Sequence, residues 1–200
     1  MANNNSKLGM IVDVQPLKSM EEIAEMIEAL GMSKKGLRNQ LLFKLGISTG
    51  LRCSDLVKIK VKDVKGKTSF ILNEDKTKKK RTVYLNSVLA ELMEYLETLA
   101  EDEEYLFPNS KGGHISVTQA YRILEKAGEL IGNHSIGTHT MRKTFGYTYY
   151  QEHKNLAVLM KIFNHSSQEV TARYIGITEE SIETSLKNTL KKTLTKSILM

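Results

Sequence analysis

Apolar residues recur at helical spacing through most of this chain and alternate with polar ones only in a short central stretch. Ile23, Ile27 and Leu30 share one face of a helix that Ser19 and Glu22 open as a capping box and Gly31 closes. A second helix starts at Ser33, carries Leu37, Leu41, Leu42 and Leu45, and ends near Ser48-Thr49-Gly50. A helical turn from Cys53 to Val57 follows. Alternation then predicts three short antiparallel strands, over residues 61–64, 68–72 and 81–85. Lys65-Gly66 makes the first turn between them, and residues 73–80 make a longer basic loop. Helical spacing returns over residues 86–100, 116–130, 139–150, 156–163 and 168–175, and again from Glu179 onward. The expected fold is mainly α with a small three-stranded antiparallel sheet, an α+β class, in one domain without repeats or an interdomain linker.

Composition agrees with this picture and narrows it. The 200 residues suit one domain or two small ones. Two prolines, where average usage would give about ten, favour a helix-rich chain. The single cysteine, Cys53, excludes an internal disulfide, and no Cys/His cluster suits structural zinc. No apolar run reaches the ~18 residues of a membrane span, and the first residues lack the apolar core of a signal peptide. A reducing, cytoplasmic compartment is expected.

Charge changes the picture more by where it sits than by its sum. The net formal charge is +6. From Lys58 to Arg81, ten basic residues face three acids, a local +7, whereas residues 91–104 hold seven acids and no base. A basic hairpin of this kind suits an anionic partner, although a solvated face has the same composition.

Two apparent motifs are set aside. Lys65-Gly66-Lys67-Thr68-Ser69 ends like a phosphate-binding loop, but Val61 stands where that motif needs its first glycine. His134 and His139 have no nearby cysteine or carboxylate to complete a metal shell, so no metal site is expected.

Five further features are ordinary one at a time. Arg52 follows a helix-ending glycine, with Asp55 three residues on; Lys76 lies in a hairpin loop; His139 and Arg142 are i and i+3 on one helix face. His165 sits at a helix end, ahead of Ser166 or Ser167 as the next N-cap, and Tyr174 alone reads as a half-buried aromatic. Together they supply what phosphodiester transfer without a metal requires. Two guanidiniums can clamp the non-bridging oxygens, a tyrosine can attack phosphorus, a lysine can protonate the departing oxygen, and imidazoles can donate hydrogen bonds or move protons.

In chain order, over about residues 17–178, these blocks resemble the catalytic domain of the tyrosine recombinase (phage integrase) family. Thr49-Gly50-Leu51-Arg52-Cys53-Ser54-Asp55-Leu56 resembles the first arginine block, with Asp55 as its acidic support. The basic loop before Arg81-Thr82-Val83-Tyr84-Leu85 resembles the lysine hairpin; counting back from Arg81 selects Lys76, with Lys78, Lys79 and Lys80 close by. His139-Thr140-Met141-Arg142 resembles the His-x-x-Arg block. Asn164-His165-Ser166 resembles the Gly-His-Ser block, with asparagine for glycine, and Tyr174 follows His165 at the nucleophile's spacing.

The resemblance implies a site-specific recombinase that cuts and rejoins double-stranded DNA through a 3′-phosphotyrosyl intermediate, without metal, ATP or another cofactor. It assigns Arg52, Lys76, His139, Arg142, His165 and Tyr174 to catalysis, and Lys78, Lys79, Lys80 and Arg81 to DNA binding. It also implies a homotetramer on DNA and a monomer or weak oligomer without it. Family members commonly carry a helical core-binding domain ahead of this one, which is not expected within these residues: residues 1–16 read as a flexible lead-in. Ile182, Leu186, Leu190 and Leu194 give residues 179–200 an apolar stripe, suited to docking on the chain's own core or, as in the family, on a neighbouring protomer. A non-catalytic DNA-binding regulator is the competing function, and a topoisomerase, which usually has lysine in place of His139, is a third.

Overall fold

A computed structural model describes residues 14–177 and residue 183; the expected lead-in, apart from its last residues, and the apolar stripe of residues 179–200 lie outside the described residues. The chain divides into two compact units, one running to Phe145 and one starting at Gly146.

The first unit begins with two helices in contact, α1 (Met20–Gly31) and α2 (Gly36–Thr49). Ser19 caps α1 as expected, its hydroxyl accepting from the Glu22 N–H at 3.1 Å while the Glu22 carboxylate accepts from the Ser19 N–H at 3.0 Å. Two short helices follow, α3 (Cys53–Leu56) and α4 (Val61–Val64), then a hairpin of β1 (Ser69–Asn73) and β2 (Lys80–Tyr84). A 3-10 turn at Asn86–Val88 leads into α5 (Leu89–Glu97), and α6 (Val117–Leu130) carries a second capping box, from Ser116 and Gln119. Leu42, Phe43, Leu45, Leu56, Phe107 and Leu124 are among the fully buried side chains of the core they share.

The expected three strands are two. Residues 61–64 form the helical turn α4 instead, because Val61 and Val64 are spaced for one helix face, and only that spacing buries Val64. Strand alternation would have paired Val64 with Lys62. The extended pairing occurs just upstream, where the Leu106 N–H donates to the Ile59 carbonyl at 2.8 Å and the Val61 N–H to Glu104 at 3.0 Å. In the hairpin, Phe70 pairs with Val83 and both face the core, so the strand register fixes which residues remain in the loop between Asn73 and Lys80.

The division at Phe145 falls within α7 (Thr140–His153). The second unit continues with α8 (Leu156–Phe163) and α9 (Gln168–Tyr174), which pack on each other. Asn164 ends α8 in the left-handed conformation, at φ 56° and ψ 48°. Asparagine is one of the few residues besides glycine that adopts it readily, which accounts for asparagine at a position where the family pattern has glycine.

Candidate active site

The first unit builds its part of the site around the C-terminal end of α2. Gly50 ends that helix at φ 61°, and a β-carbon there would lie 2.3 Å from Phe145 Cδ1, so glycine is required both by backbone conformation and by space. The turn sends Arg52 out in extended conformation at the head of α3. It also leaves the last carbonyls of α2 open to donors. Arg142, only 3% exposed, donates from Nη1 to the Gly50 carbonyl, and Arg81 donates from Nη2 to the Thr49 carbonyl. Two guanidiniums thus sit at the negative end of one helix.

The hairpin closes over the same region. Arg52 Nη1 lies 2.7 Å from Glu74 Oε2, which also accepts from the Thr77 hydroxyl at 2.8 Å. Arg81 Nη1 lies 4.0 Å from Glu74 Oε1. Burial alone would raise the Glu74 pKa; the hydrogen bonds from Thr77 and Arg52, with the charges of Arg52 and Arg142, outweigh it and hold this carboxylate below the usual glutamate range. Asp55, buried beside Arg52, reaches the same loop: its Oδ1 accepts from the Asp75 N–H at 3.0 Å. Lys58 pairs with the Asp75 side chain.

Lys76, Lys78, Lys79 and Lys80 are exposed along the loop and into β2, and Lys78 is held at φ 57°. Arg81, expected among the DNA-contacting cations, is half-buried. The Thr49 carbonyl holds one of its donors, and the Glu74 carboxylate lies at ion-pair distance from another.

His139 joins the same cationic surface. Part of its ring is exposed, yet desolvation by the protein, followed by the charges of Arg142, Lys143, Arg52 and Lys76, holds its pKa below the ordinary histidine value. This environment favours the neutral imidazole. Arg52, Lys76, His139 and Arg142 are thus near enough to interact, as their blocks imply. Cys53, next to Arg52, takes no part: burial pushes its thiol up to about 12.

The second unit holds the other two candidates together. His165 and Tyr174 meet edge to face, with ring centroids 5.0 Å apart, and Phe163 packs against both at 5.3 and 5.5 Å. Ser167, not Ser166, caps α9, accepting from the Val170 N–H at 3.2 Å. Buried Thr171 donates its hydroxyl proton to the Ser167 carbonyl at 3.0 Å, while its oxygen lies 3.2 Å from His165 Nδ1. With that proton committed to Ser167, the Thr171 oxygen is placed to accept from an N–H at His165 Nδ1.

Glu74 is the participant that motif reasoning passed over. Its one signal in the chain is that, with Asp75, it interrupts an otherwise basic run at the end of a predicted strand.

The Phage integrase family model matches residues 18–181. The chain belongs to the phage integrase family. It carries a tyrosine recombinase catalytic domain, and its relatives among integrases extend along nearly all of it. The probable integrase/recombinase YoeC of Bacillus subtilis is 46% identical over 170 residues, which are 84% of this chain and 92% of that protein. The tyrosine recombinase XerC of Thermodesulfovibrio yellowstonii is 31% identical over 168 residues, covering 78% of this chain and 56% of that protein. Among solved structures, the XerH site-specific recombinase bound to palindromic difH substrate, in its post-cleavage complex, superposes with a TM-score of 0.68. At 22% identity over 93% of this chain and 55% of that one, the likeness shows the recombinase fold. The integrase domain thus spans nearly the whole of YoeC and about half of the XerC and XerH chains.

Proposed function

We propose that this chain is a site-specific DNA strand transferase. Tyr174 attacks the scissile phosphorus, the bond to the 5′ oxygen breaks, and the strand is held as a 3′-phosphotyrosyl ester. Lys76 supplies the proton to the departing oxygen, giving a free 5′-hydroxyl. Attack by a partner strand's 5′-hydroxyl then reverses the step and releases Tyr174, so no bond energy is lost and neither ATP nor a metal is consumed. Arg52 and Arg142 stabilise the charge on the non-bridging oxygens, with His139 and His165 as hydrogen-bonding and proton-handling groups.

The observation that supports this reading best is the Arg52–His139–Arg142 surface with Lys76 at its edge. After desolvation, its cations lower the imidazole pKa further, and such a field is what a phosphate diester relieves. Lys78, Lys79 and Lys80 add sequence-independent affinity for duplex DNA. In this reading the enzyme works as a homotetramer on DNA, with residues 179–200 docking on a neighbouring protomer.

A nicked suicide duplex carrying the target site tests the proposal. The full chain should form a covalent adduct that resists denaturant and disappears in Tyr174→Phe, whose ring still packs on Phe163. DNA binding of normal affinity without any adduct would instead support a regulator that retains the fold, and relaxation of supercoils at arbitrary sites would support a topoisomerase.

A further inference from the structure

Glu74 stands out among the charged groups of the first unit because it is buried, acidic and shared. Its side chain is 7% exposed, and one oxygen, Oε2, takes hydrogen bonds from both Arg52 and Thr77. The other oxygen faces Arg81, which also feels the charge of Arg52. Its main chain closes the loop as well: the Glu74 N–H donates to the Lys79 carbonyl at 3.0 Å, and its carbonyl accepts from the Lys78 N–H at 2.8 Å. Lys76 lies inside the ring those bonds close.

Two consequences follow from elementary electrostatics. Arg52 and Arg81 repel each other, and a carboxylate between them removes that cost. A buried carboxylate is itself expensive to keep unless charged donors surround it, so Glu74 and Arg52 each fix the other's position. The loop cannot shift without breaking the Thr77 and Arg52 bonds together. Asp55 reinforces the link from the opposite side by holding the Asp75 N–H.

We propose that Glu74 is a positioning residue for strand transfer: one carboxylate ties Arg52 to the Lys76 loop and sets the phosphate clamp and the general acid in register before DNA arrives. This rests on the catalytic reading of Arg52 and Lys76 above. A residue that only held the hairpin together would need Thr77 and the loop backbone, not the guanidinium. A residue that masked Arg52 would share the guanidinium but would slow the reaction rather than support it.

The test compares Glu74→Ala, Glu74→Gln and wild-type full-length chain. In the DNA-free protein, NMR follows the Arg52 guanidinium signals and the amide exchange of Lys78 and of residue 74, the two donors of the loop bonds. On a nicked suicide duplex, it is paired with the adduct rate at saturating DNA and with the DNA Kd. Glu74→Ala should broaden or shift the Arg52 signals, speed exchange of both amides and lower the adduct rate roughly 10- to 100-fold, with Kd changed less than about threefold. Glu74→Gln, which keeps an oxygen for Arg52 and Thr77, should recover most of the rate and the protection. An adduct rate in Glu74→Ala equal to or above wild type would overturn the proposal, the latter in favour of masking. Loss through Kd alone would also overturn it. If Glu74→Ala fails to fold, Glu74→Gln decides: a full loss of rate with intact amide protection refutes positioning by these hydrogen bonds. If wild type forms no adduct, the functional reading fails, while the Arg52 and amide signals still decide whether the tether exists.

Discussion

A single methyl group at Gly50 should separate the two demands this turn makes on its residue. Gly50 and Gly66 both lie at positive φ, 61° and 70°, so alanine at either place carries the left-handed penalty of about 1–2 kcal/mol. Only Gly50 is also crowded: its added β-carbon would lie 2.3 Å from the Phe145 ring, whereas Gly66 has nothing within 4 Å. Overpacking a core position of this kind costs about 1–3 kcal/mol more. At roughly 2–4 °C per kcal/mol for a chain of this size, Gly66→Ala should melt about 2–8 °C below wild type and Gly50→Ala about 4–20 °C below it. The functional effects should part further. The Gly50 carbonyl receives Arg142, so relieving the clash moves that guanidinium, and adduct formation should fall roughly 10- to 100-fold in Gly50→Ala while Gly66→Ala reacts like wild type. Thermal melts and single-turnover adduct assays, run where both variants are folded, read the two effects. Equal melting temperatures would refute crowding by Phe145 as the limit, and a full adduct rate in Gly50→Ala would refute the link from this carbonyl to Arg142.

The remaining predictions address charge, pH and reactivity. Because Glu74 is held below the usual glutamate pKa, it contributes stability above that range that disappears as pH falls through its folded value; Glu74→Gln should therefore show a shallower acid limb in stability against pH. His139 is depressed too, so on acidification the unfolded chain takes up a proton before the folded one does; stability falls across the ordinary histidine range, and His139→Gln should remove that part of the slope. Alanine at Lys78, Lys79 and Lys80 should flatten the dependence of DNA affinity on salt by about one unit of log–log slope for each phosphate no longer neutralised, measured by fluorescence anisotropy. Cys53 should resist iodoacetamide in the native chain at pH 8 and react in denaturant; rapid native labelling would contradict its burial.

Much of this molecule was legible where one local rule acts alone. The capping box at Ser19 opens α1, and residues 156–163 form α8 with the bounds their apolar spacing indicates. Reading failed where four residues satisfy two patterns. β-branched Val61 and Val64 suit a strand by residue type, but their spacing puts both on one face of a helical turn, and the extended pairing with Tyr105 and Glu104 ends where that turn begins. The candidate residues were legible as blocks because each block is contiguous. The partnership of Glu74 with Arg52 was not, since it joins the end of a strand to the head of a helix 22 residues earlier. Arg81 shows the same limit: nothing in its block indicates the Thr49 carbonyl, 32 residues earlier, that holds its guanidinium.

The carbonyls of Thr49 and Gly50 have a consequence for how this surface tolerates mutation. A guanidinium held by a side chain can lose its partner to one base change, but one held by main-chain oxygen cannot, because every residue at position 49 or 50 brings that oxygen with it. What anchors Arg81 and Arg142 is therefore written in the path of the backbone. A substitution can disturb it only by bending that path, as a side chain at Gly50 would against Phe145.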